Sequence, residues 1–184
     1  MRVLGVDPGL TRCGVGVVAG DLGRRLQMID VAVIRSPSST PTPDRLLALH
    51  GALEELVARH RPDIIAIERV FADVNVLSAM GTAQASAVAM VVAARHGIRV
   101  QLHTPTEVKA AVTGNGRADK AQVTTMVTKL LRLSTAPRPA DAADALALAI
   151  CHLWRGAATD RLEAAAAAQR ALRARREAAV GVTP

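Results

Sequence analysis

The stretch Arg2-Val3-Leu4-Gly5-Val6-Asp7-Pro8-Gly9 decides the fold, because an apolar run ends in an acid and is followed at once by a turn. The run predicts a strand that is buried on both faces, and Pro8-Gly9 is turn chemistry that ends it. Asp7 is thereby placed at the rim of a core. An aspartate before Pro-Gly is also common turn chemistry, so a purely capping role for Asp7 is an alternative at this point.

A second segment, Pro62-Asp63-Ile64-Ile65-Ala66-Ile67-Glu68, repeats the pattern, because a short apolar run again ends in an acid. Between the two runs, Asp44 is expected to cap a helix whose leucines form an apolar stripe. A strand-helix-strand crossover of this length normally makes the two strands parallel. If they are neighbours in the sheet, Asp7 and Glu68 end side by side at one edge.

A third segment carries two acids on a strongly apolar helix. Asp141 and Asp144 lie three residues apart, a spacing that puts both side chains on one helical face. No Lys or Arg occurs between Pro139 and Trp154, and unpaired buried carboxylates are costly. Four acids on three elements indicate a divalent metal site with oxygen ligands. Two alternatives are open: a cation from elsewhere in the fold and, for Asp141, simple placement in the first helical turn.

The remaining segments complete a mixed sheet with helices. Residues 11–18 and 26–34 predict two strands that form an antiparallel meander with the first strand. The segments after Glu68 predict a helix of small residues, a strand, a helix capped by Thr104 and a helix capped by Asp119: residues 74–95, 98–103, 105–113 and 119–131. We therefore expect an α/β fold, with five strands in one mixed sheet and helices on both faces.

The chain is expected to form one domain. At 184 residues with 50% hydrophobic content it can bury one sizeable core. We assign this domain to residues 1–156. Beyond it, residues 157–184 are rich in Arg and Ala, and they predict a C-terminal helix or a flexible tail.

The charge of the chain indicates an anionic partner. A formal net charge of +7, carried mostly by Arg, is typical of proteins that bind nucleic acid. Aromatic residues make up only 1% of the chain, which argues against a base-stacking platform. Recognition of DNA would therefore depend on its backbone and shape.

The two cysteines, Cys13 and Cys151, form neither a disulfide framework nor a zinc-binding spacing. They are expected to be reduced thiols in the cytosol. No signal peptide is recognised at the N-terminus, and the apolar stretch 83–94 is too short to span a bilayer. The sequence therefore predicts a cytoplasmic location.

Several stretches together carry a resemblance to a known family. They are Gly5-Val6-Asp7-Pro8-Gly9 with Gly14, Ala66-Ile67-Glu68-Arg69-Val70-Phe71, Val108-Lys109 with the loop 114–120, and Asp141-Ala142-Ala143-Asp144-Ala145-Leu146-Ala147. On these motifs the chain resembles the RuvC family of bacterial endonucleases, which resolve Holliday junctions and have an RNase H-like fold. The resemblance covers most of residues 1–154.

The resemblance implies roles for individual residues. Asp7, Glu68, Asp141 and Asp144 would be catalytic and would bind Mg²⁺ or Mn²⁺, with two ions per site. Contacts to DNA would come from Lys109 and Lys120, with Arg117 in the basic loop between them, and from Phe71 at the unpaired centre of the junction. Phe71 is also the only phenylalanine and lies just past an acid-bearing strand end, although a core role fits that position equally well.

The resemblance further implies paired symmetric nicks, in recombination and DNA repair, that leave 5′-phosphate and 3′-hydroxyl ends. A four-way junction has near two-fold symmetry, whereas one chain has acids for one active site, so we expect a symmetric homodimer. The small-residue helix is its most plausible contact, through Met80, Ala83, Ala87, Met90 and Val91, although a helix buried within the monomer would have the same composition. The RuvA–RuvB branch-migration complex is an expected partner.

Two other functions fit parts of the sequence. Asp7-Pro8-Gly9-Leu10-Thr11 resembles the phosphate-binding hairpin of actin-like and sugar-kinase ATPases, which need a second, duplicated domain that this length does not hold. A structural junction-binding protein that does not cleave is the third possibility, with the acids serving only the fold. Metal-dependent nicking of a junction separates these readings.

Overall fold

The computed structural model describes residues 1–20, 25–69 and 76–156, together with Gln169. Within these ranges five strands form one sheet: β1 (Arg2–Asp7), β2 (Arg12–Ala19), β3 (Gln27–Arg35), β4 (Ile64–Glu68) and β5 (Arg99–His103). The helices are α1 (Thr42–His60), α2 (Val76–Arg95), α3 (Pro105–Thr113), α4 (Lys120–Leu130) and α5 (Ala140–Cys151), with a π-helical turn at His152–Gly156.

The sheet has the mixed topology that the sequence predicts. Its strand order is β3-β2-β1-β4-β5. Strands β1, β2 and β3 form the antiparallel meander, whereas β4 and β5 run parallel to β1. The five-stranded mixed sheet is therefore confirmed.

Helices cover both faces of the sheet, as expected. Leu4 and Val6 of β1 point to the side where α1 and α2 pack. Val3 points to the opposite side, which is covered by α3, α4 and α5. Because successive side chains of a strand alternate between faces, Asp7 belongs to the face that α5 covers. Burial of both faces explains why β1 carries no polar side chain from Val3 to Val6.

Three local expectations are revised or fall outside the described residues. Helix α1 begins at Thr42 with Pro41 as its N-cap, so Asp44 lies inside the first turn and is not the cap. Proline is tolerated at the N-cap because the amide of that position has no acceptor within the helix. Of the predicted helix 74–95, the structure describes α2 from Val76. The predicted C-terminal helix or tail, residues 157–184, lies outside the described residues except for Gln169.

The two capped helices are confirmed. Thr104 accepts a hydrogen bond from the Glu107 amide and Asp119 accepts one from the Gln122 amide, and both form capping boxes. Among the described residues, no helix is both long enough and apolar enough to cross a membrane.

Candidate active site

Asp7 and Glu68 end neighbouring parallel strands at the same edge of the sheet. Val6 of β1 pairs with Ile67 of β4, so the two acids that follow lie side by side, as the sequence predicts. Ala66 packs in the same core as α5, and Glu68, two residues further on, points to the same face. The side chains of Asp7 and Glu68 are therefore both directed towards the face that α5 covers.

Helix α5 reaches this edge because glycines leave room for its backbone. A Cβ atom on Gly5 would overlap the carbonyl oxygen of Ala145, and one on Gly14 would overlap that of Asp141. On Gly16 a Cβ atom would lie 2.9 Å from a side-chain carbon of Leu146. These three glycines form a flat surface on β1 and β2 against which α5 packs directly, and the contact with Gly14 fixes the height of Asp141 above the sheet.

Most of α5 is buried, but its two acids near the N-terminus are partly exposed. From Ala145 to Cys151 every residue is buried, whereas Asp141 and Asp144 are half-buried. Asp141 lies in the first turn, where a carboxylate is favoured by the helix dipole. Asp144 lies one turn further along on the same face. The structure thus brings all four predicted acids to one edge of the sheet.

The four carboxylates interact strongly with one another. Burial, together with the charges of Glu68, Asp144 and Asp141, raises the pKa of Asp7 to about 8. Burial and the charge of Asp144 also raise the pKa of Glu68. Buried acids that repel one another in this way are typical of active sites and of metal sites.

Two cations from elsewhere in the fold meet the acids of α5. Arg12 Nε lies 3.3 Å from Asp141 Oδ2, and Lys120 Nζ lies 3.2 Å from Asp144 Oδ2. The Asp144 charge raises the pKa of Lys120. The alternative of a cation supplied by the fold is therefore correct for these two acids, whereas Asp7 and Glu68 have no ion pair among the described residues.

The donor set suits a hard divalent cation, although the acids are not gathered around one point. Carboxylate oxygens are the ligands that Mg²⁺ and Mn²⁺ prefer. In the described ranges, however, no group of three or more His, Cys, Asp or Glu side chains is arranged to hold a single ion. Asp141 and Asp144 are drawn towards Arg12 and Lys120, so binding an ion between the acids requires rearrangement of these ion pairs.

The predicted DNA-contacting residues differ in their exposure and in their contacts with the acids. Lys109 on α3 is half-buried, and its charge acts on Glu68. Arg117 is exposed in the loop between α3 and α4, where its amide donates to Asn115 Oδ1 at 3.0 Å. Lys120, at the start of α4, contacts an acid of the site directly. Phe71 lies outside the described residues.

Some features of the site were not predicted from the sequence. Arg12 was not recognised, although it follows Asp7 by a short turn. The packing role of Gly5, Gly14 and Gly16 was also missed, and their positions on two paired strands were the available signal. His103, which pairs with Glu68 in the β4–β5 ladder, is buried with its Nε2 atom 3.2 Å from Nδ1 of His152.

Comparison with known proteins gives consistent matches. The family model described as crossover junction endodeoxyribonuclease RuvC matches residues 3–152. Proteins of that name from Streptomyces griseus and Nocardioides sp. are 65% and 60% identical to the chain. The alignments cover 92% and 96% of this chain, and 83% and 100% of those proteins. The solved structure of T. thermophilus RuvC in complex with Holliday junction substrate is 34% identical, with a TM-score of 0.80, and covers 85% of this chain and 94% of that one.

Proposed function

The chain belongs to the RuvC family of crossover junction endodeoxyribonucleases, and from this premise we propose that it resolves four-way DNA junctions by paired symmetric nicks. Each nick leaves a 5′-phosphate and a 3′-hydroxyl, which are ends that a ligase can join during recombination and repair. The observation that best supports this proposal is the convergence of four acids, from β1, β4 and α5, on one edge of the sheet.

We assign Asp7, Glu68, Asp141 and Asp144 as the residues that hold two divalent ions, Mg²⁺ or Mn²⁺. When bound, such ions activate water on one side of a phosphodiester and stabilise the leaving oxygen on the other. Asp7 retains its proton near neutral pH in the free protein, because its pKa is about 8. A positive charge beside it favours the ionised carboxylate that can act as a ligand.

The cations around the acids have a second role in this proposal. Lys120 and Lys109 lie close enough to the acids to hold a DNA strand over them, and Arg117 is exposed on the loop between α3 and α4. We assign these three side chains to backbone phosphates, since phosphate contacts position a duplex without reading its sequence. Phe71 is assigned to the unpaired centre of the junction on the family resemblance alone.

A symmetric homodimer supplies the two active sites that paired nicking needs. Helix α2 presents an exposed apolar stripe whose members recur at helical spacing: Met80, Ala83, Ala87, Met90 and Val91. An apolar stripe of this kind is typical of a contact between protein chains. We further propose the RuvA–RuvB branch-migration complex as a partner, on the family resemblance.

The dimer proposal is tested by Ala87→Arg. Ala87 is exposed, so the variant should fold, and the buried charge that it would add to the contact should shift the protein to monomers in sedimentation. Paired nicks should then be replaced by single nicks at low protein concentration. A wild-type protein that sediments as a monomer and still makes paired nicks would contradict the proposal.

Incubation with a synthetic four-way junction, with and without Mg²⁺, tests the function itself. We expect paired nicks only with the metal, and the nicked products should be sealed by ligase. The variants Asp7→Asn, Glu68→Gln, Asp141→Asn and Asp144→Asn should each lose cleavage by orders of magnitude while they retain junction binding. Junction binding without nicking by the wild-type protein would favour the structural junction binder instead.

A further inference from the structure

A cavity of about 460 Å³ opens next to the four acids. It lies between the turn after β1, the start of α1 and the N-terminal part of α2, and its lining includes Thr11, Thr42 and Gly81. Asp141 forms part of one wall. The cavity therefore adjoins the candidate active site, but Asp7, Glu68 and Asp144 do not line it.

Arg45 of α1 brings a buried positive charge to this cavity. The residue is only 8% exposed. Its Nη2 atom donates to Thr11 Oγ1 at 2.8 Å, and its Nε atom donates to Ser36 Oγ at 3.0 Å. Both acceptors are neutral hydroxyl groups, and in the described part of the chain no carboxylate forms an ion pair with Arg45. A buried charge without a counter-charge is costly, so the site is prepared for an anion.

The other charged groups of the lining leave the cavity positive. Arg12 Nε pairs with Asp141 Oδ2 at 3.3 Å, and both residues line the cavity. A guanidinium group has five N–H donors, more than this one pair uses. Arg12 and Asp141 cancel each other's charge, so the net charge of the lining is the positive charge of Arg45.

We propose that this cavity is a subsite for one backbone phosphate of the bound DNA, held by Arg45 together with Arg12. The inference rests on the function proposed above. Thr11 and Ser36 fix the guanidinium of Arg45 before DNA arrives, so that little side-chain entropy is lost when the phosphate binds. A planar guanidinium donates to two phosphate oxygens at once, which an ammonium group does not do.

The location of the subsite gives it a specific role. A phosphate held by Arg45 and Arg12 beside Asp141 fixes the register of the DNA strand relative to the acids. This register determines which phosphodiester is presented to the acids. Arg45 is thus a positioning residue, and its contribution is made through the DNA backbone. Inorganic phosphate has the same chemistry, but the cavity adjoins the acids, and this favours a phosphate that is part of the DNA.

The test combines a protein variant with a change to single phosphates of the DNA. A series of four-way junctions carries one uncharged methylphosphonate each, at successive positions near the cut. Binding of wild-type protein and of Arg45→Lys is measured by fluorescence anisotropy without divalent metal. We expect Arg45→Lys to weaken binding of the unmodified junction by about tenfold, as for loss of a charged hydrogen bond. At one methylphosphonate position the affinity of the wild-type protein should fall by a similar factor, whereas the affinity of Arg45→Lys should fall little further.

Arg95→Lys is the matched control. Arg95 is exposed at the C-terminal end of α2, far along that helix from the cavity, and it pairs with Glu54 of α1. It should respond to every methylphosphonate as the wild-type protein does. If thermal melting shows that Arg45→Lys does not fold, Arg12→Gln takes its place, since 56% of that side chain is exposed. If the affinity losses caused by Arg45→Lys and by the methylphosphonate multiply at every position, the subsite is refuted and Arg45 has only a structural role. A wild-type protein that does not bind the junction would instead refute the proposed function.

Discussion

Replacement of Asp7 by Asn should stabilise the metal-free protein, although it removes a residue assigned to catalysis. Burial and three neighbouring acids raise the pKa of Asp7 from 3.8 to about 8. An acid whose pKa rises on folding weakens the folded state wherever the unfolded chain has lost the proton. The free energy of unfolding should therefore fall as the pH rises from about 4 to about 8, and the full cost is present above that range.

The pKa shift sets the scale of the effect. Each pKa unit corresponds to about 1.4 kcal/mol, so the rise of Asp7 gives an upper limit of about 6 kcal/mol at alkaline pH. Asp7 lies at an open edge of the sheet where water and small movements of the acids reduce this cost. We expect Asp7→Asn to raise the free energy of unfolding by about 2 kcal/mol near pH 8, and by less than about 1 kcal/mol near pH 5.

Urea unfolding in the presence of a chelator, at the two pH values, measures this difference. Asp44→Asn is the control, because Asp44 is exposed in the first turn of α1 and its loss should cost only a few tenths of a kcal/mol at both pH values. If Asp7→Asn is less stable than the wild-type protein near pH 8, the carboxylate supports the fold and the metal-site assignment is wrong. An equal gain at both pH values would show that titration of Asp7 is not the cause.

Three further predictions concern metal binding, DNA binding and the packing of α5 at the site. Mg²⁺ should raise the melting temperature of the wild-type protein more near pH 8 than near pH 6, because protons compete for Asp7 at the lower pH, and differential scanning fluorimetry on Asp7→Asn should show a smaller rise. Lys120→Ala should weaken junction binding and reduce its logarithmic salt slope by about one unit, whereas the exposed Lys129→Ala should leave the slope unchanged. Gly14→Ala should cost about 1–3 kcal/mol of stability and most of the nicking activity, because its methyl group displaces α5. Gly51→Ala, which meets nothing within 4 Å in the middle of α1, should gain about 0.5–1 kcal/mol in the same unfolding assay.

The sequence was sufficient to predict how Asp7 and Glu68 meet. Both follow short apolar strands, and the helix between those strands makes them parallel, so the two acids end at one edge. The pairing depends on local pattern and on a general rule of chain connection. It required no knowledge of which side chains touch. The same reasoning put Asp141 and Asp144 on one helical face, because helical spacing is also a local property.

The placement of α5 against the sheet could not be predicted from local sequence patterns. In the sequence Gly5, Gly14 and Gly16 are consistent with turns or with weak strand positions. Their function appears only when the pairing of β1 with β2 aligns Gly5 with Gly16 and places Gly14 beside Asp7. The glycines then form one surface on which the backbone of α5 lies. Strand register, which decides this surface, is a property of the folded sheet.

The ion pairs of the site depend on the same packing. Arg12 leaves the β1–β2 turn and Lys120 begins α4, and only the position of α5 brings them to Asp141 and Asp144. These pairs offset part of the repulsion among the acids, which makes the cluster compatible with a stable fold before metal binds. Occupation of the acids by a divalent ion would weaken both pairs, because the ion replaces Arg12 and Lys120 as the counter-charge. The released side chains would then lie beside the metal with donors free for DNA phosphates, so metal binding and DNA binding should strengthen each other.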